Sequence, residues 1–223
     1  MSGKKIALVA IPVAVAAIAA VLALPFLQNM PRTDPEDNAP LVPASAEDCN
    51  SLSPRVGSII ANGIGQATDE TETAANTLVE QYCQRPELIR EVSAMANPAR
   101  SLVAYACDVG SGEIDVPGFQ ELLAGYGELY CNGALVVILE DSESLMVAAA
   151  DYYESILNRV ESGDPERGER LPDLDVEEAE AELQEIAILA NKSKSQARAG
   201  QLYEAAKSLD SATKLLDSII SRT

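Results

Sequence analysis

The hydrophobic pattern changes character along the chain, from one unbroken apolar run to apolar positions spaced for helices. Ile6 to Leu27 is 22 residues without a charged or hydrogen-bonding side chain. As a helix it would be ~33 Å long, enough to cross a bilayer core. Further on, apolar residues recur at steps of three and four. Leu145, Ala149, Tyr152, Ile156 and Val160 mark a helix over Ser142–Glu161. Val176, Ala179, Leu183, Ile186 and Ala190 follow one heptad pattern, and Leu202, Ala205, Leu209, Ala212, Leu216 and Ile219 another. The two heptad patterns are out of phase, so a turn near Ala199-Gly200 and an antiparallel hairpin are predicted in place of one coiled coil. Prolines and glycines divide the middle of the chain. A helix is expected from Pro54 to Cys83, bent at Gly63 and Gly65. A second runs from Pro86 to Cys107 with a break at Pro98, and a third from Pro117 to Cys131. The short run at 134–139, ALVVIL, reads as a buried helix segment.

The fold class expected is therefore all-α: a single N-terminal transmembrane helix, then a disulfide-linked extracytoplasmic helical bundle ending in an antiparallel helical hairpin. Four segments are expected: a cytoplasmic tip and anchor at 1–27, a Pro-rich tether at 28–46, a disulfide-stabilised helical domain at 47–163, and a charged loop with the hairpin at 164–223. Lys4 and Lys5 precede the apolar run, and Asp34, Glu36 and Asp37 follow it. By the positive-inside rule the N-terminus is cytoplasmic and the body lies outside, periplasmic or extracellular. Ala10 and Ala14 form a small-residue face that another membrane helix could approach. The competing reading is a signal peptide cleaved after Val21-Leu22-Ala23. The apolar run continues beyond that site, which favours a retained anchor.

Cysteine usage agrees with export. Cys49, Cys83, Cys107 and Cys131 are even in number and show no CxxC spacing, so two disulfides are expected and no metal site. If the three middle helices run up, down and up, Cys49 meets Cys107 at one end and Cys83 meets Cys131 at the other.

Composition narrows the chemistry. The chain has 223 residues, 47% of them hydrophobic but only 4% aromatic, so its core is built mainly from Ala, Leu, Ile and Val. There is no His, which removes the commonest general base and the commonest zinc ligand, and with them any Ser-His-Asp or Cys-His arrangement. A formal charge of −19 repels phosphate backbones and anionic lipid head groups, so no nucleic-acid partner is expected. No cofactor and no small-molecule substrate is expected either.

Two short stretches resemble known families. Gly110-Ser111-Gly112-Glu113-Ile114-Asp115 resembles the second half of an EF-hand calcium loop, with Gly112 at the sixth position and Asp115 at the ninth. The alignment then puts Cys107, Val109 and Gly118 at the first, third and twelfth positions, where strong oxygen ligands belong. That departure makes the stretch a Gly-rich turn. The other acidic candidate, Asp173-x-Asp175-x-Glu177, reads as a linker running into a helix start. Gly200 to Leu216 is similar to the second helix of a tetratricopeptide repeat, through Gly200, Leu202, Glu204-Ala205, Leu209, Ala212 and Leu215. The preceding helix departs from that pattern at Lys192, Ser193 and Gln196. The resemblance implies protein binding through a helical groove, with Leu202, Leu209 and Leu216 as interaction residues. Asn191-Lys192-Ser193 is a glycosylation sequon.

These readings point away from an enzyme. They point to a membrane-anchored extracytoplasmic protein that binds other membrane or envelope proteins, as an accessory or assembly subunit. The alternatives are a filament-forming envelope protein and a carboxylate-dependent hydrolase; for the latter, the absence of Trp leaves few aromatic platforms for sugars.

Overall fold

The computed structural model describes residues 46–162 and 176–222. Among them the chain is all helical: α1 (Ala46–Ile64), α2 (Asp69–Cys83), α3 (Pro86–Ser93), α4 (Pro98–Gly110), α5 (Gln120–Ala124), α6 (Gly127–Ser162), α7 (Val176–Arg198) and α8 (Leu202–Arg222). The apolar run at 6–27, with Ala10 and Ala14, and the tether up to residue 45 lie outside the described residues. Among those described, no helix is long and apolar enough to cross a membrane.

The expected bent helix from Pro54 to Cys83 is two helices. α1 starts upstream of Pro54, which it contains, and the chain reverses after Gly65, whose φ is +73°. Thr68 restarts it. The Thr68 hydroxyl accepts the Thr71 N–H at 3.2 Å, and the Thr71 hydroxyl oxygen accepts the Thr68 N–H at 2.9 Å. Asp69, Glu70 and Glu72 place negative charge at this positive helix end.

That reversal corrects the disulfides. Cys49 pairs with Cys83 and Cys107 with Cys131; the expected Cys49–Cys107 and Cys83–Cys131 links are not formed. One helix from 54 to 83 would have put Cys49 and Cys83 at opposite ends. Two antiparallel helices bring them together, as they bring Ser53 to Asn76.

The predicted break at Pro98 is present, with Pro86 and Pro98 each in the first turn of its helix. The helices expected at 117–131 and 142–161 are not separate. A short α5 is followed by α6, a single helix of 36 residues, about 54 Å long. Cys131 thus sits in the first turns of α6, beside the end of α4. α6 is the central element and touches α1, α4, α7 and α8. α1 crosses it so closely that Gly63 and Gly133 meet backbone to backbone. A Cβ on Gly133 would lie 2.9 Å from the Ile59 oxygen and the Ile60 Cα.

The hairpin forms as the heptads predict, turning at Gly200 with φ +82°. Ala179, Ile186, Ala190, Leu202, Ala205, Leu209, Ala212, Leu216 and Ile219 are all buried. Lys194 reaches Glu143 of α6, Lys207 reaches Glu91 of α3, and Lys214 pairs with Asp210 of its own helix. α7 and α8 share one hydrophobic core with the disulfide-linked helices.

Candidate functional site: the turn between α4 and α5

The stretch that resembles a calcium loop is an ordered helix-to-helix turn. Cys107 and Asp108 belong to the last turn of α4. The Ser111 N–H reaches the Cys107 oxygen at 2.8 Å and the Gly112 N–H the Val109 oxygen at 3.1 Å. Gly112 then turns left-handed, φ +83°, as does Gly118, φ +78°, a conformation open to glycine. The Ile114 N–H returns to the Asp108 oxygen at 3.0 Å. Phe119 and Leu123 are fully buried and hold the far side of the turn to the core.

Several groups at or beside the positions a calcium ion would use are otherwise engaged. Cys107 is in a disulfide, and the Ser111 hydroxyl donates to the Asp108 backbone oxygen at 3.2 Å. The Asp108 carboxylate turns inward to cap α8: Oδ1 accepts the Leu202 N–H at 3.2 Å and Oδ2 the Tyr203 N–H at 2.8 Å. Burial raises the Asp108 pKa above its ordinary value; the two N–H donors oppose the rise, and Glu113 and Glu204 add to it. Among the described residues no group of three or more His, Cys, Asp or Glu is placed to hold a metal ion.

Around this cap lies an aromatic cluster, in a chain that has few aromatics. Tyr105 stands edge-on to Tyr203 with ring centroids 5.2 Å apart, and 6.4 Å from Phe119. The Arg85 guanidinium covers the Phe119 ring at 4.1 Å and the Lys207 ammonium covers Tyr203 at 4.4 Å, so the chain's own cations occupy these ring faces. The Tyr203 hydroxyl is buried without a well-formed hydrogen bond and faces Glu91. Burial, then that carboxylate, push its pKa far above the usual phenol range. Tyr105 is raised too, by burial, with Arg85 opposing and Glu91 assisting. Neither phenol is poised to lose its proton near neutral pH, so neither is a ready nucleophile or base.

Other buried polar groups clamp the hairpin and the long helix. Asp210 accepts the Ala96 N–H, and Lys214 donates to the Ala94 oxygen at 2.8 Å, tying α8 to the α3–α4 turn. Ser193 donates to the Ala205 oxygen at 2.8 Å, closing the hairpin; the sequon's hydroxyl is thus inside the fold, while Asn191 is exposed. Arg100, buried at 3% exposure, pairs with Asp141 at 2.7 Å, while its Nε and Nη2 have no partner.

Of the sequence-predicted interaction residues, Ala10 and Ala14 lie outside the described residues. Leu202, Leu209 and Leu216 are buried within this chain's own core, at 3%, 1% and 3% exposure, where they seat α8. Asp108, Asp141, Asp210 and Arg100 were missed, because no local pattern announces a partner 41 to 114 residues away. Compared with protein-family models, with curated proteins and with solved structures, the chain matches none.

Proposed function

We propose that this chain is a membrane-anchored extracytoplasmic helical protein that works by binding other proteins, as an accessory or assembly subunit of a membrane or envelope complex. The observation that carries the reading is the closure of all four cysteines into two disulfides within a helical body, preceded in sequence by the charge-flanked apolar run at 6–27. Disulfides persist in oxidising compartments, and the apolar run suits a single span. The hydrolase alternative loses support because the buried carboxylates Asp108 and Asp210 are occupied by backbone N–H groups and the part-buried Asp141 by Arg100.

The test is fractionation of cells expressing the full chain, then mild-detergent purification and intact mass. The expected result is a carbonate-resistant membrane protein with its body accessible to protease from outside, co-purifying with stoichiometric partners. A soluble monomer whose mass starts near Leu24 would sink the reading.

A further inference from the structure

The outer edge of the α4–α5 turn carries side chains that its structural role leaves unexplained. Phe119 and Leu123 face inward, fully buried. Leu122, between them in the same short helix, is 40% exposed. Ile114, Val116 and Tyr126 are only partly covered. Interspersed with them in sequence are Glu113, Asp115, Glu121 and Glu128, all exposed. None of these four carboxylates belongs to an ion pair among the described residues, and residues 101–158 contain no Lys or Arg at all. Arg85, which other helices bring to this end, is spent on the Phe119 ring.

We infer that this edge, residues 113–128, is a docking surface for a cationic, amphipathic segment of a partner protein. Two observations converge. Partly exposed apolar side chains give the surface contact area, and unpaired carboxylates among them supply charge that a cationic partner would neutralise. The turn is held by the Cys107–Cys131 link, by left-handed glycines and by the two buried anchors, so docking costs little ordering entropy. The same carboxylates repel anionic lipid and nucleic acid, which selects a protein partner. The acidic start of α2 lacks exposed large apolar side chains and serves as the internal control.

This inference rests on the protein-binding reading above, but its test separates the two. The full-length chain in zwitterionic nanodiscs is exposed to a synthetic helical peptide with Lys on one face, Leu on the other and a photoreactive group, and adducts are mapped by mass spectrometry. A scrambled peptide of equal charge and a Glu/Leu peptide are run beside it. Adducts should concentrate in 113–128. E113Q/D115N/E121Q/E128Q should reduce them about tenfold and Leu122→Ser several-fold, while D69N/E70Q/E72Q changes them less than about twofold. Adducts spread equally over α2, equal labelling by the scrambled peptide, or insensitivity to the fourfold variant would overturn the proposal. A chain that fractionates with membranes and partners yet fails this test loses only the docking surface. One that passes it but is soluble loses only the anchor.

Discussion

Asp108 and Tyr203 are 95 residues apart in the chain, yet the carboxylate of one accepts the backbone N–H of the other at 2.8 Å. The start of α8 is therefore capped by a residue of α4. Asp108→Ala should cost about 2 kcal/mol by urea denaturation, since two helix-start N–H groups lose their acceptor. Amide exchange at Leu202 and Tyr203 should quicken before exchange elsewhere in α8. Uniform quickening throughout the protein would mean that Asp108 supports the whole core and not this helix end.

The same carboxyl sets a pH dependence. Unfolded, it releases its proton near 3.8; folded, burial makes it release later. Between those values the folded state holds more protons, so the Asp108 contribution is complete below 3.8 and falls as pH rises through the folded pKa. Urea midpoints measured across acid pH should show this slope reduced in Asp108→Asn. An identical slope in the variant would assign the effect to other groups.

Arg100 and Asp141 are unequal partners, the first buried and the second partly open. Asp141→Asn should be destabilising by about 3 kcal/mol, because it strands a buried guanidinium. Arg100→Met removes the charge along with the need for its partner and should cost much less. Thermal melts of both variants decide; equal losses would contradict the asymmetry.

Glycine content separates tolerance from constraint along α1. A Cβ on Gly57 would meet the Ala75 Cβ at 3.6 Å, an ordinary contact, so Gly57→Ala should stabilise by about 0.5–1 kcal/mol through helix propensity. Gly63→Ala and Gly133→Ala drive a methyl into the opposing backbone and should cost about 3 kcal/mol or more. Melting temperatures should move in opposite directions.

Non-reducing peptide maps should recover Cys49 with Cys83 and Cys107 with Cys131. Removing either link as a double Ser variant should cost about 3–4 kcal/mol on a chain-entropy estimate for spans of 34 and 24 residues.

Helix type, the Pro98 break, the Gly200 turn and the buried heptad faces could be read from spacing, because each follows from local backbone chemistry or from a face that repeats. The reversal before α2 was also written locally, in Thr68-Asp69-Glu70, but Gly63 and Gly65 read as a bend. Gly63 is in fact helical, and its missing side chain admits α6. The third middle helix was expected to end at Cys131, yet the chain stays helical through Gly133, where α1 crosses. The turn at 107–119 was located from its glycines. What its carboxylate binds depended on a helix that starts 94 residues later, and no local pattern carries that information.

The two disulfides join first cysteine to second and third to fourth. The loops they close follow one another and never interlock. A chain delivered N-terminus first to an oxidant meets each correct partner before the next pair emerges. Pairing by order of arrival thus yields the native connectivity, and the protein has no topological need of a disulfide isomerase.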